Sequence, residues 1–125
     1  MLGHYQHSHV RIEVDASENR LAEAILCPEK FQQWLSPQRF MVNLPDRLAP
    51  DFSFTSWFGL VAIEHHVKTV EANHVQLLLS RGIDGFHQWD WGEGWVQSRL
   101  EGISLLPLNL GQTYSLLRLQ KFLER

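Results

Sequence analysis

Gly82-Ile-Asp-Gly-Phe-His-Gln-Trp-Asp-Trp-Gly-Glu-Gly-Trp-Val-Gln-Ser-Arg-Leu-Glu-Gly102 carries three of the chain's five tryptophans around a Gly92-Glu93-Gly94 turn. Charged and imidazole side chains alternate with aromatic ones on both sides of that turn. The pattern predicts a β-hairpin with one apolar face that bears a few placed polar groups, the composition of a ligand pocket. Upstream of it the same alternation continues, giving four strands over about 60–70, 74–80, 83–91 and 95–104. Their connections, Glu71-Ala72-Asn73, Ser80-Arg81-Gly82 and Gly92-Glu93-Gly94, read as three-residue loops ending in Asn or Gly, residues that accept a positive φ.

Loops of three residues pair odd positions with odd positions, and side chains alternate faces with period two. All odd residues from Val61 to Ile103 are therefore expected on one face: Ile63, His65, Val67, Leu77, Leu79, His87, Trp89, Trp91, Gln97, Arg99 and Glu101 among them. The even set, with Glu64, His66, Lys68, Gln88 and Asp90, is wetter. The odd face is the expected core face. Phe86, Val96 and Leu100 fall on the other side, where they would form an outer patch suited to a homodimer contact.

Before these strands, residues 1–7 read as a loose tail and His9–Val14 as a half-buried strand. Ser17 is placed to cap a helix over Glu18–Leu26. Pro28 opens a second short helix that buries Phe31, Trp34 and Leu35, and Ser36-Pro37 closes it. Phe40 with Val42, and Phe52, Phe54 and Ser56, give two short strands. The last element is a helix from about Asn109, with Asn109 and Gln112 spaced as a capping box. Leu110, Tyr114 and Leu117 form one apolar stripe on it, and Leu116, Leu119 and Leu123 another.

The chain's 125 residues make a single domain, 1–125, long enough to bury a core, and its 44% hydrophobic and 20% charged content is that of a globular protein. A net charge of −3 without any basic run argues against nucleic acid as a partner. One cysteine, Cys27, excludes an internal disulfide, and no segment has membrane-spanning length, so a cytoplasmic location is expected. His4, His7 and His9, or His65 with His87, match no closed zinc pattern, and neither metal nor cofactor is expected.

Strand, two short helices, a meander of strands and a long C-terminal helix: this order resembles the helix-grip fold of the START, birch-pollen-allergen and polyketide-cyclase superfamily (SRPBCC). Val14-Asp15-Ala16-Ser17, then Cys27-Pro28-Glu29-Lys30-Phe31-Gln32-Gln33-Trp34-Leu35, resemble its "DPE…F..W" segment, and Val67–Asn73 and the Gly82-Ile83-Asp84-Gly85 strand onset are similar too. The resemblance implies an α+β fold, an antiparallel sheet curved around a long C-terminal helix with two short helices after the first strand. It implies a cavity between sheet and helix that takes a small apolar or aromatic molecule, as a carrier or a cyclase-like protein. Any catalysis would be of cyclase or dehydrase type and metal-free. The alternative within the superfamily is a co-chaperone-like interaction module whose cavity is filled.

The expected site is the hairpin face with His65, Leu77, His87, Trp89, Trp91, Gln97, Arg99 and Glu101, closed by Tyr114 and Leu117. His87 would sit opposite Arg99, and Arg99 within reach of Glu101. Charges on a core face must be paired, hydrated or aimed at a ligand. Two readings follow: a polar pocket end that orients a carbonyl, phenol or carboxylate, or a buried structural Arg–Glu pair beside a satisfied histidine.

Overall fold

The computed structural model describes residues 3–35, 38–40 and 44–124. Ten elements follow one another: β1 (His4–Glu13), α1 (Glu18–Leu26), α2 (Pro28–Trp34), β2 (Arg39–Phe40), β3 (Ser53–Phe58), β4 (Val61–Glu71), β5 (His74–Arg81), β6 (Ile83–Gly92), β7 (Trp95–Ser104) and α3 (Leu108–Leu123). The strands make one antiparallel sheet in the order β1-β7-β6-β5-β4-β3-β2, curved around α3. The α+β architecture is the one expected from the order of the elements.

The helical layer forms as its caps dictate. Ser17 Oγ accepts the Arg20 amide at 3.2 Å and starts α1, and Pro28 supplies the first residue of α2. The two helices are tied together where Trp34 Nε1 donates to the Ala24 carbonyl at 3.0 Å. Ser36, Pro37 and Val42 lie outside the described residues. The strand expected around Phe52–Ser56 is β3, which pairs with Phe40 through Ser56.

β1 begins at His4, so residues 4–7 of the expected tail are strand, with β1 paired from His4↔Ser104 to Glu13↔Trp95, and residues 1 and 2 lie outside the described residues. Its inward positions there are polar, Gln6 and Ser8, which hid the alternation. Both are used: Gln6 Oε1 accepts the Leu108 amide at 3.0 Å, capping α3, and Ser8 meets Gln112 and Asn109 on the same helix. The helix accordingly starts at Leu108, and Gln112, expected in a capping box, points into the core instead.

The odd-face expectation holds over Val61–Val67 of β4 and across β5 and β6. Val67 pairs with Leu77 and His65 with Leu79, and Leu77 with His87 and Val75 with Trp89. Of two local departures, the first exchanges the faces over Thr69–Glu71, where Val70 and not Thr69 packs toward the core, and neither alters the parity of β5 and β6. The β4–β5 connection is a two-residue turn compensated by a bulge between Val67 and Thr69. In the β5–β6 connection Arg81, not Gly82, takes the left-handed conformation, at φ 72°.

The parity fails at β7. Gly92 pairs with Trp95, so the connection is only Glu93-Gly94, and every later pair joins an odd residue to an even one: Trp91↔Val96, Trp89↔Ser98, His87↔Leu100. Gly94 carries the turn at φ 79°. Gly92 belongs to the strand, where the Trp95 indole packs so closely that a Cβ would lie 2.5 Å from its Nε1. Val96, Ser98, Leu100 and Ser104 are therefore buried, and Trp95, Gln97, Arg99, Glu101 and Ile103 take the outer face.

Candidate functional site

Sheet, α2 and the first half of α3 enclose a cavity of about 450 Å³. Its floor is the inward face of the sheet: His65 of β4, Val75, Leu77 and Leu79 of β5, Ile83, His87 and Trp89 of β6, and Leu100 of β7. Phe31 and Trp34 of α2 form a wall, with Phe54 of β3 beside them. These walls are rigid aromatic packing: Phe31 stacks on Phe54 at 5.9 Å, and Trp34 meets Trp89 edge-on at 5.7 Å between centroids. Phe58, Leu110 and Tyr114 line the cavity yet stay 37%, 68% and 48% exposed, so the cavity opens between them. Among the described residues no Asp, Glu, Lys or Arg lines it.

The polar groups in this lining are few and specifically held. His65 Nε2 shares a hydrogen bond with Ser56 Oγ at 2.8 Å, and its ring stacks on Phe54 at 4.6 Å with planes 6° apart. Its Nδ1 is buried without a partner. His87 Nε2 lies 2.8 Å from Ser98 Oγ, and its ring sits 4.8 Å from that of Trp89. Burial pushes the His65 imidazole down from 6.5 to about 4. Burial pushes His87 down to about 3, with the neighbouring His65 adding to it. Both rings are neutral at pH 7.

Of the expected site residues, His65, Leu77, His87, Trp89 and Tyr114 line the cavity. Trp91 is inward and 1% exposed, but is packed outside the lining. Leu117 does not line it either, being 55% exposed, because α3 turns its Leu108-Gln112-Leu116-Leu119-Leu123 stripe inward.

Gln97, Arg99 and Glu101 are on the opposite face of the sheet, moved there by the two-residue turn before β7. There Arg99 Nη2 pairs with Glu101 Oε2 at 3.8 Å and lies over the Phe86 ring at 5.5 Å. Tyr5 donates its phenol hydrogen to the same Glu101 carboxylate, which raises the Tyr5 pKa. The pair is thus neither a pocket end nor a buried ion pair, but part of an exposed polar network. The outer patch of Phe86, Val96 and Leu100 dissolves for the same reason: Phe86 is outside, whereas Val96 and Leu100 are 0% and 7% exposed within the core.

The reading from sequence missed Ser98, Ser56, Ser8 and Gln112, the hydrogen-bond partners behind the two histidines. Gln112 had a legible signal, since it sits four residues from both Leu108 and Leu116 on one apolar stripe. Ser98 had one as well, at an even position between Val96 and Leu100. Among the described residues no three His, Cys, Asp or Glu side chains come together as metal ligands, and no helix is long and apolar enough to cross a membrane.

No family model and no curated protein matches the chain. Solved structures do. Protein CV1439 from Chromobacterium violaceum superposes with a TM-score of 0.76 at 14% identity, covering 95% of this chain and 97% of its own. The Aha1 dimer protein from Colwellia psychrerythraea gives 0.66 at 14% identity, covering 95% and 96%. DynU16, a protein of the dynemicin biosynthetic locus, gives 0.68 at 19% identity, covering 94% of this chain and 47% of its own. At these identities the likeness is one of fold, and the fold is the helix grip.

Proposed function

We propose that this protein is an SRPBCC-like binder of a small, uncharged apolar or aromatic molecule, held in the cavity between the sheet and α3. The observation that carries this reading is the cavity: about 450 Å³, apolar walls, and two neutral histidines in its floor. Ligand sites commonly span about 300 to 1,000 Å³ with such a lining. An engineered apolar cavity of about 150 Å³ holds benzene. One about three times that size suits a molecule of two or three rings. A charged ligand would find no counter-ion among the described lining residues and would lose its hydration.

Carriage is favoured over catalysis. A general base works best with a pKa near the working pH. His65 at about 4 and His87 at about 3 are too weakly basic for a cyclase or dehydrase to lean on. A co-chaperone-like role, the other reading, presupposes a filled interior, and the open space over Leu77 and His87 speaks against that premise.

Native mass spectrometry of protein purified from its own host is the direct test. A co-purifying molecule of a few hundred daltons, lost from a Leu79→Trp variant that fills the cavity, is the expected result. Protein that emerges bare at every expression level, and binds no aromatic probe in titration calorimetry, would refute the reading.

A further inference from the structure

The hydrogen bonds behind His87 fix which of its nitrogens carries the proton. Gln112 Nε2 lies 2.8 Å from the Ser98 carbonyl and 3.3 Å from that of Ser8. Carbonyl oxygens only accept, so this atom is the amide NH2 and not the oxygen. The same Nε2 is 3.0 Å from Ser98 Oγ, and since an amide nitrogen does not accept, the Ser98 hydroxyl hydrogen is not spent on it. At the other end, Ser8 donates its single hydroxyl hydrogen to Gln112 Oε1 and accepts from Asn109 Nδ2 at 2.7 Å.

Ser98 is left with its own hydroxyl hydrogen to place, and its remaining partner is His87 Nε2 at 2.8 Å. If that nitrogen carried a proton, Ser98 Oγ would accept twice and its own hydrogen would be left without an acceptor among the described residues. His87 Nε2 accepts, and the proton of the neutral ring sits on Nδ1. The chain runs one way, from Asn109 at the start of α3 through Ser8, Gln112 and Ser98 to the cavity floor.

His87 Nδ1–H has no hydrogen-bond partner among the described residues, and its ring lines the cavity beside Trp89. His65 offers no equivalent: its Nδ1 is buried, and among the described residues only Ser56 hydrogen-bonds its ring. A desolvated donor at the floor of an apolar chamber is favourable only when an acceptor meets it.

We propose that His87 Nδ1–H donates to a carbonyl or ether oxygen of the bound molecule, so that the site selects uncharged aryl ketones and their like over the matching hydrocarbons. Carboxylates are excluded by the cost of burying their charge without a cation. The proposal rests on the cavity-binding reading and adds the ligand's polar group and the residue that reads it.

Three probes of one size separate the possibilities by titration calorimetry at pH 7.5: 2-acetonaphthone, 2-ethylnaphthalene and 2-naphthoate. The ketone is expected to bind about tenfold more tightly than the hydrocarbon, the size of one neutral hydrogen bond, and the carboxylate not measurably. In His87→Phe the hydrocarbon should still bind and the ketone's advantage should vanish. Long-range proton–nitrogen NMR of the free wild-type protein reads the tautomer without any ligand and should show Nδ1 protonated. Ser98→Ala, which removes the directing hydroxyl, should mix the tautomers and shrink the ketone preference. A protonated Nε2 in the free protein, equal binding of ketone and hydrocarbon, or a preference that survives His87→Phe overturns the assignment while leaving cavity binding intact. Failure of all three probes to bind removes cavity binding and this inference with it.

Discussion

His65 and His87 are the two side chains on which the interior is most sensitive to acid. Folding holds them at about 4 and about 3, against 6.5 in an unfolded chain. Below pH 6.5 the unfolded chain takes up protons that the folded one refuses. Stability is therefore complete above about pH 6.5, falls as pH drops through it, and goes on falling until the folded values are reached. One pKa unit corresponds to about 1.4 kcal/mol. Together the two rings can withdraw several kcal/mol, a large share of the roughly 5 to 15 kcal/mol that holds a domain folded. Urea denaturation at pH 7.5, 6.0 and 5.0, above the range where ordinary carboxylates titrate, should show a falling midpoint in wild type. His87→Phe should show a flatter dependence. An unchanged slope in that variant would place the acid sensitivity elsewhere. Arg99 makes a contrasting case. Its pairing with Glu101 is partly solvated, with a side chain 42% exposed, and such pairs contribute about 0 to 1 kcal/mol. Arg99→Ala should change the unfolding midpoint little and leave affinity for 2-ethylnaphthalene untouched, because the whole thickness of the sheet separates it from the cavity.

The turn between β6 and β7 decides which side chains reach the cavity, and one residue of loop length is enough to exchange the two faces of a strand. Reading Gly92-Glu93-Gly94 as a loop placed Gln97, Arg99 and Glu101 inside. Closing it at Glu93-Gly94 places Val96, Ser98 and Leu100 there instead. The composition of β7 already favoured the second choice, since its even positions are small or apolar and its odd ones include Gln, Arg and Glu. What concealed it is Gly92, which stands in the strand because the Trp95 indole occupies the space a side chain would need. The helices were legible to within a residue or two, because Ser17 and Pro28 mark their starts by local chemistry. The first half of β1 was not, because Gln6 and Ser8 are inward polar residues whose partners on α3 lie about a hundred residues away. Two outcomes follow for these elements. Gly94→Ala, forced to φ 79°, should destabilise by about 1 kcal/mol or more in thermal unfolding, as alanine does at left-handed positions. Gln112→Leu should cost more, about 1 to 3 kcal/mol, because it strands the Ser8 and Ser98 groups that the amide satisfies. Combined with Ser8→Ala, its cost should be less than the sum, since both act on one hydrogen bond. Strict additivity in that cycle would mean that β1 and α3 are held together by other contacts.

A domain that keeps a cavity of about 450 Å³ open forgoes packing that its core would otherwise gain. The molecule is arranged so that this open space is bounded by rigid parts. The sheet supplies the floor, α2 is fixed to α1 through Trp34, and the start of α3 is fastened to β1 by Gln6, Ser8 and Gln112. Occupancy and stability are then coupled. A ligand that binds only the folded state adds about 2.7 kcal/mol at a free concentration one hundred times its Kd. For a domain of this length that raises Tm by on the order of 10 °C. Replacing Leu79 by tryptophan supplies internally part of the packing a ligand would bring. Leu79→Trp should therefore melt at or above the wild-type temperature with no ligand present, and 2-acetonaphthone should no longer raise its Tm. Differential scanning calorimetry of both proteins, with and without the ketone, checks the two shifts together. A variant that melts lower than wild type and still responds fully to the ketone would show that the molecule binds outside the space between the sheet and α3.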